Sequence, residues 1–198
     1  IQSGQAFFVN APFQSGSVKF TEDAKATGSL LVNRSGHRNN LAEMRVNLNV
    51  LRNGTPVLLD GIRVQFDPVF SPAIDMQDAQ KLAYSAEQIS IRSHEKALVV
   101  EQRNMPQAAD TIFLEMKQMR AQTYRFDIAL NNLQEPGLAA FLEDRYLHSR
   151  MQLNFSNLTD ILFTVNDDVA SAAADRFVIV FDPLVVLPVK FIRSEERR

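Results

Sequence analysis

The chain has 198 residues, 45% of them apolar and 22% charged, a balance that closes a sizeable core and excludes a charge-rich disordered chain. Its 21 basic and 23 acidic residues leave a formal net charge of -2, spread without long blocks, so there is no electrostatic footprint for nucleic acid and no case for membrane insertion. Cysteine is absent, which removes disulfides, thiolate metal sites and cysteine nucleophiles, and no stretch nears the roughly 20 apolar residues of a spanning helix.

In chain order, turn signals at Asn10 to Pro12 and Gln14 to Gly16 precede a short helical piece expected at Thr21 to Ala26, and Ser35 to Asn40 is a further turn. Met44, Val46, Leu48 and Val50 then alternate with Arg45, Asn47 and Asn49, the period of a half-buried antiparallel strand. Asn53-Gly54 is a hairpin turn, because both residues tolerate the positive φ of a tight reversal. Ile62-Val64-Phe66 repeats the alternation up to a turn at Asp67-Pro68, and Met76 to Tyr84 is expected to be a second short helix. The same period recurs at Ile112-Leu114-Met116, Tyr124-Phe126-Ile128-Leu130, Met151-Leu153-Phe155, Ile161-Phe163-Val165 and Phe177-Ile179-Phe181, with turns at Glu135-Pro136-Gly137 and Asn166 to Asp168.

Alternation so often repeated predicts an all-β fold, a two-sheet antiparallel β-sandwich of jelly-roll type carrying one or two short helical turns. Residues 1–184 are expected to form this single domain and 185–198 an exit strand and tail, where Pro183 and Pro188 interrupt the pattern and Ser194 to Arg198 is almost wholly charged. The first residue is Ile1 rather than Met, and a piece of a longer protein is the expectation.

Motifs with demanding spacing are missing. The seven glycines form no G-x-x-x-x-G-K-[ST] or G-x-G-x-x-G loop, and no G-x-S-x-G elbow occurs. His37, His94 and His148 lack ligand spacing, and His94-Glu95 starts an H-E-x-x-H motif that fails at Leu98. The adjacent acids Glu143-Asp144 and Asp167-Asp168 cannot both face one cleft from a strand. Asp60, Asp67, Asp75 and Asp78 cluster within a loop-rich stretch and are candidate calcium ligands, since calcium takes several oxygens without strict order; otherwise Asp75 and Asp78 are helix-capping or turn residues. With no Trp, three Tyr and 14 Phe, aromatic sugar platforms are poorly supplied, and the Phe are expected in the core.

Asp60-Gly61-Ile62-Arg63-Val64-Gln65-Phe66-Asp67, followed by Ile74-Asp75-Met76-Gln77-Asp78-Ala79-Gln80-Lys81-Leu82, resembles a pattern of surface proteins of Bacteroidetes exported by the type IX secretion system, a strand ending in V-x-F and then D-x-x-D-A-x-K. Gly4 to Val9, Val18 to Thr21, Ile89-Ser90-Ile91 before Leu98-Val99-Val100, and Phe141 to Tyr146 are similar to further stretches in the same order. Asp175 to Phe181 and Leu187 to Phe191 look like the segment that precedes the C-terminal sorting domain of such proteins, while Ser194 to Arg198 departs from it.

The resemblance implies a secreted or cell-surface module that neighbours other domains of a long chain, and it supplies no catalytic residues or obligate cofactor. Asp110-Thr111-Ile112 matches the short O-glycosylation acceptor of that phylum, with Thr111 as the acceptor. A non-catalytic structural, display or adhesive module is therefore the leading expectation. A polysaccharide- or protein-binding module is the alternative, and a sandwich-fold hydrolase comes third.

Overall fold

The structure, a computed structural model, describes residues 17–24, 41–82, 84–133 and 137–184. The chain divides into two units, 1–40 and 41–198. In the first, a 3-10 turn spans Glu22–Ala24 among the described residues, inside the helical piece expected at Thr21 to Ala26. The turn signals at 10–12, 14–16 and 35–40, residues 135–136 and the tail 185–198 lie outside the described residues.

The second unit is all-β. Its strands are β1 (Ala42–Arg52), β2 (Thr55–Phe66), β3 (Ala79–Gln80), β4 (Gln88–Ser93), β5 (Lys96–Arg103), β6 (Thr111–Lys117), β7 (Gln122–Asn131), β8 (Leu138–Asp144), β9 (Ser149–Gln152), β10 (Thr159–Val165) and β11 (Phe177–Pro183), with a 3-10 turn at Val169–Ala172. β1 shows why the pattern was readable: Met44, Val46, Leu48 and Val50 are all buried while Arg45 and Asn47 are exposed. It reverses into β2 through Asn53 and Gly54, at φ 54 and 77, the two positive values that a type I′ hairpin turn needs.

The expected pair of sheets is replaced by one continuous sheet, ordered β10-β7-β1-β2-β5-β4-β6-β11-β8-β9, with β3 added beside β5. Its neighbours are antiparallel except β2 and β5, which run parallel with Arg63 opposite Val100. The sheet curls into a half-barrel that buries its own concave side. Phe177 on β11 meets Phe126 on β7 at 5.1 Å and Phe163 on β10 at 4.8 Å between ring centroids, although β1, β2, β5, β4 and β6 lie between β7 and β11 in the ladder. Each such edge-on aromatic pair adds about 0.5–1.5 kcal/mol to the burial of the rings.

Two further corrections are local. Met76 to Tyr84 is no helix: Met76 and Gln77 form a turn, and Ala79–Gln80 becomes β3. The cause is the side chains of Asp75 and Asp78, which accept the amides of Gln77 at 2.7 Å and of Asp75 at 2.8 Å and close the turn locally. Met151 is not a core residue either. All of β9 is exposed, whereas Leu153, beyond its end, enters the core and Phe155 packs half-buried against it.

Buried Arg176 ties the two margins of the curl. Its Nε and Nη2 donate to both carboxylate oxygens of Asp144 on β8 at 2.9 and 2.7 Å. Its Nη1 donates to the carbonyls of Thr164 on β10, at 2.9 Å, and of Ser171, at 2.7 Å. One guanidinium thereby joins the strand at one end of the sheet order to the last strand but one at the other.

Candidate functional site

The four acids of the candidate calcium set each accept hydrogen bonds within the fold. Asp60, on β2, holds Lys81 Nζ at 2.5 and 2.6 Å and accepts the amides of Gly61 and Ile89 at 2.8 and 2.9 Å. Asp67 accepts the Val69 amide at 3.0 Å in its turn. Asp78 also accepts the Gln102 amide at 2.8 Å, so it fastens the turn to β5. Among the described residues, no three His, Asp or Glu side chains converge as metal ligands.

The adjacent acids behave as strand geometry requires. Asp144 points inward to Arg176 while Glu143 lies half-buried on the other face, 3.4 Å from Arg150. Asp168 caps the 3-10 turn by accepting the Ala170 amide at 2.9 Å, and Asp167 is exposed. Phe66, Phe126, Phe163, Phe177 and Phe181 are core residues as expected. Phe113 and Phe141 instead lie half-buried beneath guanidinium groups, Arg92 and Arg145 over the first at 5.5 and 5.6 Å, Arg150 over the second at 3.9 Å.

His37 lies outside the described residues, and His94 and His148 occupy turns at φ 53 and 51. His94 sits between β4 and β5 and lines a cleft of about 360 Å3 together with Arg92, Ser93, Glu101, Arg103, Asn104, Met105, Gln107, Asp110, Thr111 and Phe113. Thr111 is the first residue of β6, half-buried and opposite Val180, and Asp110 beside it accepts the Gln107 amide at 2.9 Å.

Glu101 is the unusual member of this cleft. It is 8% exposed, and its Oε2 has no hydrogen-bond partner among the described residues. Arg103 Nη1 stands 3.8 Å away, beyond hydrogen-bond range. Desolvation by burial raises the carboxyl above its usual pKa, and Asp78 adds to the rise; Arg103, a hydrogen bond from Ser93 and His94 work the other way.

Reading by periodicity passed over Glu101 because it stands in a strand whose faces do not alternate cleanly, with only Leu98 and Glu101 fully buried along β5. An acid among Leu98, Val99 and Val100 was the available signal. The cleft offers two guanidinium groups, two carboxyl groups, hydroxyls and side-chain amides around a small space, a set that can bind and orient a polar molecule of modest size. Comparison with protein-family models, with curated proteins and with solved structures yields no match.

Proposed function

We propose that the chain is a non-catalytic structural or display module of an exported bacterial surface protein, transmitting force between neighbouring domains of a long chain. The ordered resemblance to type IX exported proteins supports the placement. One structural observation carries the mechanical part. Counting directions across the ladder, β1 and β11 run the same way, each between two hydrogen-bonded neighbours.

The start of β1 and the end of β11 therefore point to opposite ends of the strands. Tension applied there loads the ladders along the strand axis, where many backbone hydrogen bonds must break together. Attachment at residues 41 and 184 in single-molecule pulling is expected to need severalfold more force than attachment at 41 and 67, which unzips β1 from β2 one pair at a time. Equal forces in the two geometries would reject the reading. A binding module for polysaccharide or protein is a second reading, favoured by the Glu101 cleft.

A further inference from the structure

We propose that the side chains of Lys81 and Asp60 condense to an amide, a covalent cross-link between β2 and the segment that follows β3. The cross-link stands apart from both the force-transmitting role and the Glu101 cleft.

The geometry of the pair leads to it. Lys81 Nζ lies 2.5 Å from Asp60 Oδ1 and 2.6 Å from Oδ2, nearer to both oxygens than the roughly 2.7–2.9 Å of an ordinary ammonium–carboxylate hydrogen bond. The amine nitrogen therefore sits close to the carboxyl carbon, Cγ. The lysine and aspartate side chains are only 9% and 10% exposed. Two charges so far from water have lost most of their hydration, and amide formation removes both of them.

Both partners are also held in place. The Lys81 backbone amide donates to the Ala97 carbonyl at 2.9 Å, and the Tyr84 ring centroid stands 5.9 Å from Nζ. The amides of Gly61 and Ile89 donate to Oδ1 and Oδ2 at 2.8 and 2.9 Å, which fixes the plane of the carboxyl. Reactants kept in contact need no encounter, so a step that is slow between free molecules becomes an intramolecular one. Other ion pairs lack one requirement each. Lys117 meets Glu115 at 2.9 Å with its side chain 52% exposed, and Arg176 is as buried with Asp144 but carries a guanidinium that does not give up its proton.

The reaction balances without a co-reactant. A proton passes from the Lys81 ammonium to one oxygen of Asp60 along the existing hydrogen bond. The freed lone pair on Nζ adds to Cγ and forms the C–N bond, while charge gathers on the other oxygen, which a backbone amide already faces. The bond from Cγ to the protonated oxygen then breaks, and that hydroxyl takes a second proton from nitrogen and leaves as water. One ammonium and one carboxylate thus give one neutral amide and one water. The chain has no cysteine, so a covalent brace has to be built from side chains of this kind.

The test is the intact mass of the whole 198-residue chain, purified folded, incubated at neutral pH and then denatured. The expected mass is that of the sequence less one water. Trypsin should leave residues 53–63 joined to 64–92 as a branched species with two amino termini, uncut at Lys81, and fragmentation should place the bond between Asp60 and Lys81. Lys81→Arg keeps the cation but not the nucleophile, so it should show the full sequence mass; Lys117→Arg should keep the deficit. Melting curves establish that both variants are folded, and the branched wild-type peptide decides the matter whatever the variants do. Asp60-Gly61 can lose the same water by closing to a succinimide, but that ring would persist in Lys81→Arg and is cleaved by hydroxylamine, which the side-chain amide resists. The full sequence mass in the folded wild type, a deficit retained in Lys81→Arg, or cleavage by hydroxylamine between residues 60 and 61 would each overturn the proposal.

Discussion

Replacing Arg176 by Met should cost this fold more than any surface change of the same chemistry. Arg176 is 1% exposed, and its removal withdraws two bonds from Asp144 and one each from the Thr164 and Ser171 carbonyls. Breaking a buried ion pair from one side costs about 3–5 kcal/mol, because the surviving charge is left uncompensated. Asp144 keeps the amides of Tyr146 and Leu147 at 3.0 and 3.1 Å, which moderates that charge, and Met preserves packing against the Phe177 ring, 4.8 Å from the guanidinium. The expected loss is therefore about 3–4 kcal/mol, read from urea denaturation midpoints at constant m. Arg145→Met is the control: its ion pair to Asp175 is 3.8 Å long between exposed side chains, and the change should be within about 1 kcal/mol. A loss below about 1 kcal/mol for Arg176→Met would refute the claim that this residue closes the sheet.

Three further outcomes are expected. Gly54→Ala, at φ 77 in the β1–β2 turn, should destabilise by about 1–2 kcal/mol through the left-handed backbone alone, as measured by the same denaturation. Phe177→Ala should cost about 3–5 kcal/mol, since the ring fills the space against Phe126 and Phe163, and thermal melts would show it. Glu101→Gln should stabilise the protein at pH 8 and leave it nearly unchanged at pH 4. The folded pKa of Glu101 lies above its ordinary 4.5, so the stability of the protonated form is fully present below that value and is lost as pH rises through the folded one.

Much of the fold was legible because burial on one face writes itself into alternation. β1, β6, β7, β10 and β11 bury every second residue, apart from neighbouring buried positions near the ends of β1 and in β11. β4 buries Gln88, Ile89, Ser90 and Ile91 in succession, and such a strand carries no period to read. The closure into one sheet rests on the parallel pairing of β2 with β5, a long-range choice that leaves no local mark. Asp144 and Arg176 are polar residues at core positions, which hydrophobic pattern alone assigns to the surface. At the candidate site, the same limit hid Glu101, whose significance comes from neighbours contributed by β4, β5 and the approach to β6.

The pairing of β1 on both edges also bears on how the molecule forms. Its hairpin with β2 is local and can form on the microsecond scale, but its other edge pairs with β7, Asn47 opposite Asp127, roughly 80 residues downstream, a separation typical of β proteins that fold in milliseconds to seconds. Until β7 arrives, the backbone amides and carbonyls on that side of β1 stand ready for any extended segment. Refolding should therefore lose yield as protein concentration rises, through pairing between chains at a strand that ends up inside the ladder.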